Sequence, residues 1–115
     1  MSANNWVVYL VRCSDKSLYC GSSNDVQRRL KEHNSGRGAK YTRSRRPVEL
    51  VVSSPAMSKR EALKLEYRIK RMPADQKLSG LNTLGREIVI KRGLRSLRRD
   101  VMAIVKVIDK LIKGI

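Results

Sequence analysis

The hydrophobic positions near the start of the chain predict a β-hairpin. Residues 6–12 (WVVYLVR) are β-branched and aromatic, which is the composition that strands prefer. Residues 17–21 (SLYCG) predict a second short strand, and the polar residues between the two runs supply turn chemistry. A three-residue loop at 13–15 would place Tyr9 directly opposite Tyr19, on the same face of the hairpin.

Two helices and a third strand are predicted after the hairpin. The first helix, over 24–34, begins with an N-x-x-Q pattern that resembles a capping box. The second, over 58–72, begins with a true S-x-x-E capping box. Between them lie a basic, glycine-containing loop at 35–47 and a strand at 48–53 (VELVVS). Together these elements predict an α+β fold in which a small three-stranded antiparallel sheet is flanked by helices.

The apolar residues near the end of the chain follow a heptad-like spacing, with alternating steps of three and four. They stand at positions 94, 97, 101, 104, 108, 111 and 115. This stripe predicts an amphipathic helix over 94–113, which belongs to a basic extension at 81–115 added to a main domain at 5–80. We expect the stripe to cover an exposed apolar face of the domain, and homodimerisation through it is the next alternative. The basic polar face of this helix could extend a nucleic-acid-binding surface, and a helix of this kind can also lie on an anionic membrane.

The charge of the chain indicates a polyanionic partner. Twenty-six Lys and Arg residues against ten Asp and Glu residues give a formal net charge of +16 and a sequence pI near 10.7. Such a field attracts nucleic acid, although a basic protein without that role is the alternative.

Several other classes of protein do not fit the sequence. No uncharged apolar run approaches the roughly 18 residues of a transmembrane helix. Cys13 and Cys20 are too few for a disulfide scaffold, and their spacing fits no zinc pattern. The first residues carry neither a basic n-region nor an apolar h-region, so no signal peptide is predicted. We therefore expect a cytoplasmic protein with reduced thiols and no membrane partner.

Helical geometry singles out one arginine on the first helix. Val26, Leu30 and His33 form the inward stripe of this helix. At roughly 100° per residue, Arg29 lies about 60° from Val26, whereas Arg28 points about 160° away from it. Arg29 is therefore expected to lean toward the domain while Arg28 faces water.

On the second helix, Glu66 is the charged residue that is expected to point toward the domain. It lies inside the arc of the apolar stripe, where a carboxylate is rarely buried without a cation, a metal ion or a hydrogen-bond partner. An ion pair with Lys70, four residues further on, is one explanation, and a metal site is the other.

Two tyrosine-bearing strands, an arginine-bearing helix and a glutamate-bearing helix, in this order, resemble the GIY-YIG nuclease family over residues 6–75. The VYL at 8–10 stands at the first family triplet, and the YCG at 19–21 stands at the second. Residues 33–51 (HNSGRGAKYTRSRRPVELV) further resemble the small stand-alone bacterial members known as the UPF0213 group. Slx-type structure-specific endonucleases share much of this pattern.

The chain departs from the family pattern at a few positions. VYL replaces GIY, Cys20 replaces the usual Ile or Val, and Ser22 stands where some repair members carry a lysine. Asn82 is a loose candidate for the C-terminal asparagine of homing and restriction members. Neither change within the triplets removes a tyrosine hydroxyl, so neither argues against catalysis.

The resemblance implies an endonuclease that hydrolyses phosphodiester bonds with Mg²⁺, for which Mn²⁺ could substitute. Glu66 would be the metal ligand, and Arg29 would hold the scissile phosphate. Tyr9 would act as the general base and Tyr19 would orient water or phosphate, whereas a packed aromatic pair is the alternative for both. His33 falls where the family often carries a histidine or tyrosine near the active site. The implied catalytic residues are Tyr9, Tyr19, Arg29, His33 and Glu66.

The loop at 35–47 predicts a nucleic-acid-binding surface. Its basic residues surround an aromatic ring, so they could follow a phosphate backbone while a base stacks on the ring. These residues are Arg37, Lys40, Tyr41, Arg43, Arg45 and Arg46. No base-reading helix is evident, so we expect DNA to be bound with little sequence specificity, and selectivity for structure or single strands stays open. The alternatives are a solvated charged loop and a non-catalytic DNA- or RNA-binding module that keeps the fold.

Overall fold

A three-stranded antiparallel sheet forms the centre of the computed structural model, which describes residues 4–114. The strands are β1 (Val7–Arg12), β2 (Leu18–Ser23) and β3 (Glu49–Ser53), in the spatial order β2-β1-β3. The helices are α1 (Val26–Asn34), α2 (Lys40–Arg43), α3 (Lys59–Lys70) and α4 (Ala74–Lys113). The predicted α+β fold with three antiparallel strands flanked by helices is confirmed.

The predicted pairing of the two tyrosines is wrong. Tyr9 pairs with Gly21 instead of Tyr19, because the turn of the hairpin is formed by residues 14–16 and not by residues 13–15. A one-residue shift of the turn moves the register by two residues. Both tyrosines therefore still lie on one face of the sheet.

Local hydrogen bonds explain where the turn falls. Asp15 accepts hydrogen bonds from the Ser17 N–H at 3.0 Å and from the Ser17 hydroxyl at 2.5 Å, as aspartate commonly does in turns. Lys16 adopts the left-handed conformation, with a φ of 68°, and its N–H donates to the Cys13 carbonyl at 2.9 Å. These bonds centre the turn on Asp15.

The two predicted helices are present, with a small difference at the start of α1. Asp25 caps this helix in place of Asn24, since its carboxylate accepts a hydrogen bond from the Arg28 N–H at 3.1 Å. A carboxylate is also favourable at the positive end of the helix dipole. The predicted capping box between Ser58 and Glu61 is confirmed in both directions at the start of α3.

The two faces of β1 contact different helices, because successive side chains of a strand point to opposite sides. On one face lies the main core, and its buried residues are Val8, Leu10, Cys20, Met57, Ala62, Leu65, Ile69 and Leu81. On the other face lie Tyr9 and Val11, packed with Tyr19 of β2 and Leu30 of α1. The sheet thus separates the tyrosines from the core that α3 and α4 cover.

α4 is one continuous helix of 40 residues, so the helix predicted over 94–113 is only its second half. The first half packs against the main core through Leu81, Leu84 and Ile88. No feature of α4 marks the predicted boundary between 5–80 and the extension, and the position of that boundary stays a prediction.

The second half of α4 extends away from the domain. From Gly93 to Gly114 every residue is exposed. The expectation that the apolar stripe covers a face of the domain is therefore wrong for residues 94–111, and position 115 lies outside the described residues. None of the helices within residues 4–114 has the combination of length and apolar character needed to cross a bilayer.

Candidate active site

Four rings from four different elements form an aromatic cluster on the α1 side of the sheet. The ring centroids of Tyr9 and His33 are 6.1 Å apart, and those of Tyr19 and His33 are 5.4 Å apart, both in edge-on contact. Tyr41 of α2 stacks on Tyr19, with centroids 5.9 Å apart and ring planes at 23°. The structure therefore brings the two candidate tyrosines and the candidate histidine together.

His33 is fully buried and uses both of its ring nitrogens. Nε2 lies 2.8 Å from Tyr9 Oη, and Nδ1 lies 2.9 Å from Thr42 Oγ1. The Thr42 hydroxyl donates its proton to the Ala39 carbonyl at 2.9 Å, so it can only accept from the imidazole. Nδ1 therefore carries the hydrogen, and Nε2 accepts a hydrogen bond from the Tyr9 hydroxyl.

The protonation of this pair follows from its burial. Burial lowers the pKa of His33 below its usual value, and the charge of Arg29 lowers it further. Burial also raises the pKa of Tyr9, and the nearby Tyr19 adds to this effect while Arg29 opposes it. At neutral pH, a neutral imidazole thus faces a protonated phenol.

Arg29 lies beside Tyr9 at the rim of the cluster. Its side chain is 31% exposed, compared with 66% for Arg28, which confirms the predicted difference between the two. Arg29 Nη1 lies 3.3 Å from a carboxylate oxygen of Glu32. A partly exposed guanidinium in this place can offer further N–H groups to a phosphate.

Glu66 extends from α3 to the edge strand β2. The Ser22 hydroxyl donates a hydrogen bond to Glu66 Oε1, and Lys70 Nζ lies 2.7 Å from Oε2. Lys70 also lies over the ring of Tyr19, with Nζ 5.6 Å from the ring centroid. The ion pair that the sequence offers as one explanation of Glu66 is therefore present.

Glu66 also lies within electrostatic range of the aromatic cluster. The pKa of Tyr9 is raised chiefly by burial, and the Glu66 charge contributes in the same direction. Arg29 and Glu66 therefore act on the same phenol with opposite charges. Tyr9, Tyr19, Arg29 and His33 therefore lie together, and Glu66 adjoins them through Lys70 at the edge strand β2.

Hydrogen bonds and an ion pair hold the basic loop against the rest of the domain. Asn34 and Val48 close its two ends through hydrogen bonds of 2.7 and 3.0 Å. Arg45 Nε lies 2.9 Å from Asp15 Oδ2, and Arg45 Nη1 donates to the Tyr41 carbonyl at 2.7 Å. The Arg45 guanidinium carbon also lies 3.9 Å from the centroid of the Tyr41 ring, so this ring is already used within the chain.

The other basic residues of the loop point outward. The exposed ones are Arg37, Lys40, Arg43 and Arg46. Next to the loop, Arg12, Lys16 and Lys77 help to line an open cleft of about 560 Å³ that also reaches Tyr41. Sequence patterns did not suggest these three cations as neighbours of the loop, because they lie on β1, the hairpin turn and α4.

Three residues of the site were not predicted, or were predicted in another role. Thr42 lies in a segment predicted as loop, and no periodicity connects it to His33 nine positions earlier. Ser22 was noted only as a departure from the family pattern, and Lys70 only as an ion-pair partner. Asn82 is an exposed residue of α4 and has no hydrogen bond to the site within residues 4–114.

Comparison with known proteins identifies the family. Residues 5–79 match the family model of the GIY-YIG catalytic domain. A UPF0213 protein of Nitratidesulfovibrio vulgaris is 50% identical over 91 residues, which are 79% of this chain and 83% of that protein. The UPF0213 protein YazA of Bacillus subtilis is 47% identical over 77 residues, which are 67% of this chain and 78% of that protein.

A solved structure of a relative is also similar. It is the solution NMR structure of the UPF0213 protein BH0048 from Bacillus halodurans, with 44% sequence identity and a TM-score of 0.41 over 64% of this chain and 79% of that chain. The predicted resemblance to the UPF0213 group is confirmed by the sequence matches. Because the family model covers most of the chain, including every candidate catalytic residue, this chain belongs to the GIY-YIG family.

Proposed function

We propose that this protein is a divalent-metal-dependent endonuclease that hydrolyses phosphodiester bonds in DNA with little sequence specificity. The observation that carries the proposal is the hydrogen bond from the buried Tyr9 hydroxyl to Nε2 of a neutral His33. Arg29 and Glu66 bring opposite charges to the same phenol. Membership of a family named for its catalytic domain supports this assignment.

In the proposed reaction, Tyr9 and His33 act as a proton relay. A water molecule would attack phosphorus and lose its proton to Tyr9 Oη, while the phenol passes its own proton to His33 Nε2. The bond from phosphorus to the leaving sugar oxygen would break, and that oxygen would take up a proton from solvent. The relay avoids a free phenolate, which burial disfavours because it raises the pKa of Tyr9. Thr42 holds the imidazole in the tautomer that can accept the proton.

Arg29 and the basic loop would bind the substrate. Arg29 would donate to the scissile phosphate and stabilise the charge that grows on it in the transition state. The exposed Arg37 and Lys40 would contact phosphates further along the strand. Phosphate contacts of this kind carry no base information, so sequence specificity is expected to be low.

Glu66 is the residue that would hold the metal ion. A partly buried carboxylate beside a hydroxyl, that of Ser22, suits a hard cation such as Mg²⁺, or Mn²⁺ in its place. Within residues 4–114 no cluster of three or more His, Cys, Asp or Glu could form a metal site from protein ligands alone. One carboxylate is still enough for Mg²⁺, which keeps most of its water and takes substrate phosphate as a ligand. A bound ion would neutralise phosphate charge, and it would compete with Lys70 for Glu66 Oε2.

A DNA- or RNA-binding module without catalysis is the second candidate. The specific observation in its favour is the Glu66–Lys70 ion pair, which gives the carboxylate a partner without a metal. We further propose a cytoplasmic location, in which the free thiols of Cys13 and Cys20 would stay reduced.

Glu66→Gln separates the two candidates. Purified wild-type and variant proteins are incubated with Mg²⁺ or Mn²⁺ and labelled single-stranded, duplex, branched and RNA substrates. A nuclease should lose roughly 100-fold or more of its cleavage rate in Glu66→Gln, while binding measured in EDTA persists. Glu87→Gln, at an exposed position of α4, is the matched control and should cut normally. Binding without cutting by the wild type, with either metal and every substrate, would instead support the non-catalytic module.

A further inference from the structure

The second half of α4, from Gly93 to Gly114, projects from the domain and exposes many large apolar side chains. This segment is called the projecting half below. Its large apolar side chains are between 49% and 65% exposed. They are Leu94, Leu97, Val101, Met102, Ile104, Val105, Val107, Ile108, Leu111 and Ile112. Monomeric proteins rarely expose a continuous apolar patch of this kind, which usually marks an interaction surface.

The spacing of these side chains indicates what kind of partner they fit. Steps of three and four repeat from Leu94 to Leu111, as in the a and d positions of a coiled coil. The a positions are Leu94, Val101 and Ile108, and the d positions are Leu97, Ile104 and Leu111. β-branched residues at two of the three a positions and leucine at two of the three d positions favour two strands. A lipid surface needs only a broad apolar face, whereas this repeat is what a second helix requires.

Most charged residues of the projecting half lie away from the seam, which is the stripe formed by its a and d positions. The basic residues at the outer b, c and f positions are Arg95, Arg99, Lys106, Lys110 and Lys113. Only Arg98 and Asp100 flank the seam, while the other flanking positions between Val101 and Ile112 are apolar. Two copies of a strongly basic chain could therefore pack along the seam with most like charges held apart.

We propose that residues 93–113 of α4 pair with the same segment of a second copy of this chain. The segment is about 30 Å long, and its a and d side chains would fill the holes between those of the partner. A surface that fits itself in this way produces a symmetric dimer. This proposal does not depend on the nuclease activity.

The molar mass of the full-length chain in solution tests the proposal. Light scattering or sedimentation equilibrium, on protein freed of nucleic acid and at a salt concentration that screens charge, should give twice the 13.1 kDa of one chain, and a larger multiple would contradict a pair. Val101→Glu places a charge in the seam and should return the mass to 13.1 kDa at micromolar concentrations. Ala103→Glu, two positions away on the outer face, introduces the same charge and should leave the assembly intact.

Fluorescence of the single tryptophan, Trp6, reports on the domain, which both variants should keep folded. If Val101→Glu fails to fold, Ile108→Glu provides the same test at the next a position. A wild-type protein that stays at 13.1 kDa at all concentrations would overturn the proposal, whether or not it binds anionic vesicles. An assembly that survives both seam variants would overturn it as well, because its interface would lie elsewhere.

Discussion

Two glycines let the chain close tightly around Tyr9 and His33. A Cβ atom at Gly21 would lie 2.5 Å from Tyr9 Oη, and one at Gly38 would lie 2.7 Å from the Cα atom of His33. Both distances are far shorter than a carbon atom tolerates, so neither position accepts a side chain without displacing the pair. The glycine of the second family triplet thus has a steric role here, which is to leave room for the phenol across the hairpin.

The single histidine should make stability depend on pH. Folding lowers the pKa of His33 below its usual value of 6.5, so below that pH the unfolded chain binds a proton that the folded chain does not. The free energy of unfolding should therefore fall as the pH is lowered from 7 to 5.5. Denaturant melts at a series of pH values measure this change.

His33→Gln is the control for that experiment. It should be less stable at neutral pH but should lose the pH dependence in this window. Asp15 and Glu61, whose pKa values are lowered in the folded protein, stay ionised there. A wild-type profile that is flat from pH 7 to pH 5.5 would contradict the neutral, buried state of His33.

At this scale the sequence predicts side-chain orientation better than hydrogen bonding. Helical periodicity alone separates Arg29 from Arg28, because orientation follows from 3.6 residues per turn. The i, i+4 rule likewise finds the partner of Glu66. The contact between Thr42 and His33 depends on how a loop folds back, and no local pattern encodes it.

Gly85 and Gly93, in the two halves of α4, have different surroundings. At Gly85 an added Cβ would lie 3.2 Å from Ser54 Cβ and 3.4 Å from Pro55 Cδ, because the helix packs closely on this loop. Ser54 is itself fixed, since its hydroxyl accepts from the Val8 N–H and donates to the Pro55 carbonyl. At Gly93 an added Cβ would meet nothing within 4 Å.

Substitution by alanine should therefore have opposite effects at these two positions. Gly93→Ala should stabilise the projecting half of α4 by about 0.5–1 kcal/mol, because alanine loses less backbone entropy in a helix. Hydrogen exchange of residues 93–113 and helical circular dichroism measure this gain. Gly85→Ala should destabilise the protein, by about 1–3 kcal/mol, because overpacking outweighs the same gain. Equal effects at both positions would contradict the packing described for α4.

The glycines of α4 also explain why its start was not predicted. Glycine in a sequence usually suggests a helix end, so Gly93, just before the heptad stripe, favours a separate helix that begins after it. In the structure, tertiary packing of Leu81, Leu84 and Ile88 carries the helix through these positions. The strands and the capping box of α3, which depend on neighbouring residues, are predicted to within two positions, whereas α1 begins with a cap at Asp25 and not with the capping-box pattern at Asn24.

The molecule as a whole is elongated because α4 projects from it. Its extents are 73 × 30 × 17 Å, and its radius of gyration is 19.5 Å, compared with about 13 Å for a compact domain of this length. The formal charge of +16 is consequently spread over a long body, with cations both on the basic loop and on the projecting helix. Which of these regions contacts nucleic acid is open to measurement.

Salt dependence should locate the contacts with nucleic acid. Each phosphate contact adds about 0.9 to the magnitude of the slope of log K against log salt for duplex DNA. Replacing both Arg37 and Lys40 by alanine should lower this magnitude by up to about 2, as measured by anisotropy in EDTA. The matched pair Lys106→Ala and Lys110→Ala, on the projecting helix, should leave the slope unchanged. A larger change from the second pair would assign the contacts to α4 instead of the loop.

The contacts that hold the basic loop in place should affect how nucleic acid binds. The Asn34–Val48 and Arg45–Asp15 contacts, which lie within the chain itself, hold the loop in shape. A strand arriving at this surface would find its shape already built, so association would require little folding of the protein. The main contribution to the enthalpy and entropy of binding would then come from the release of counterions from the nucleic acid, and not from the ordering of a flexible segment.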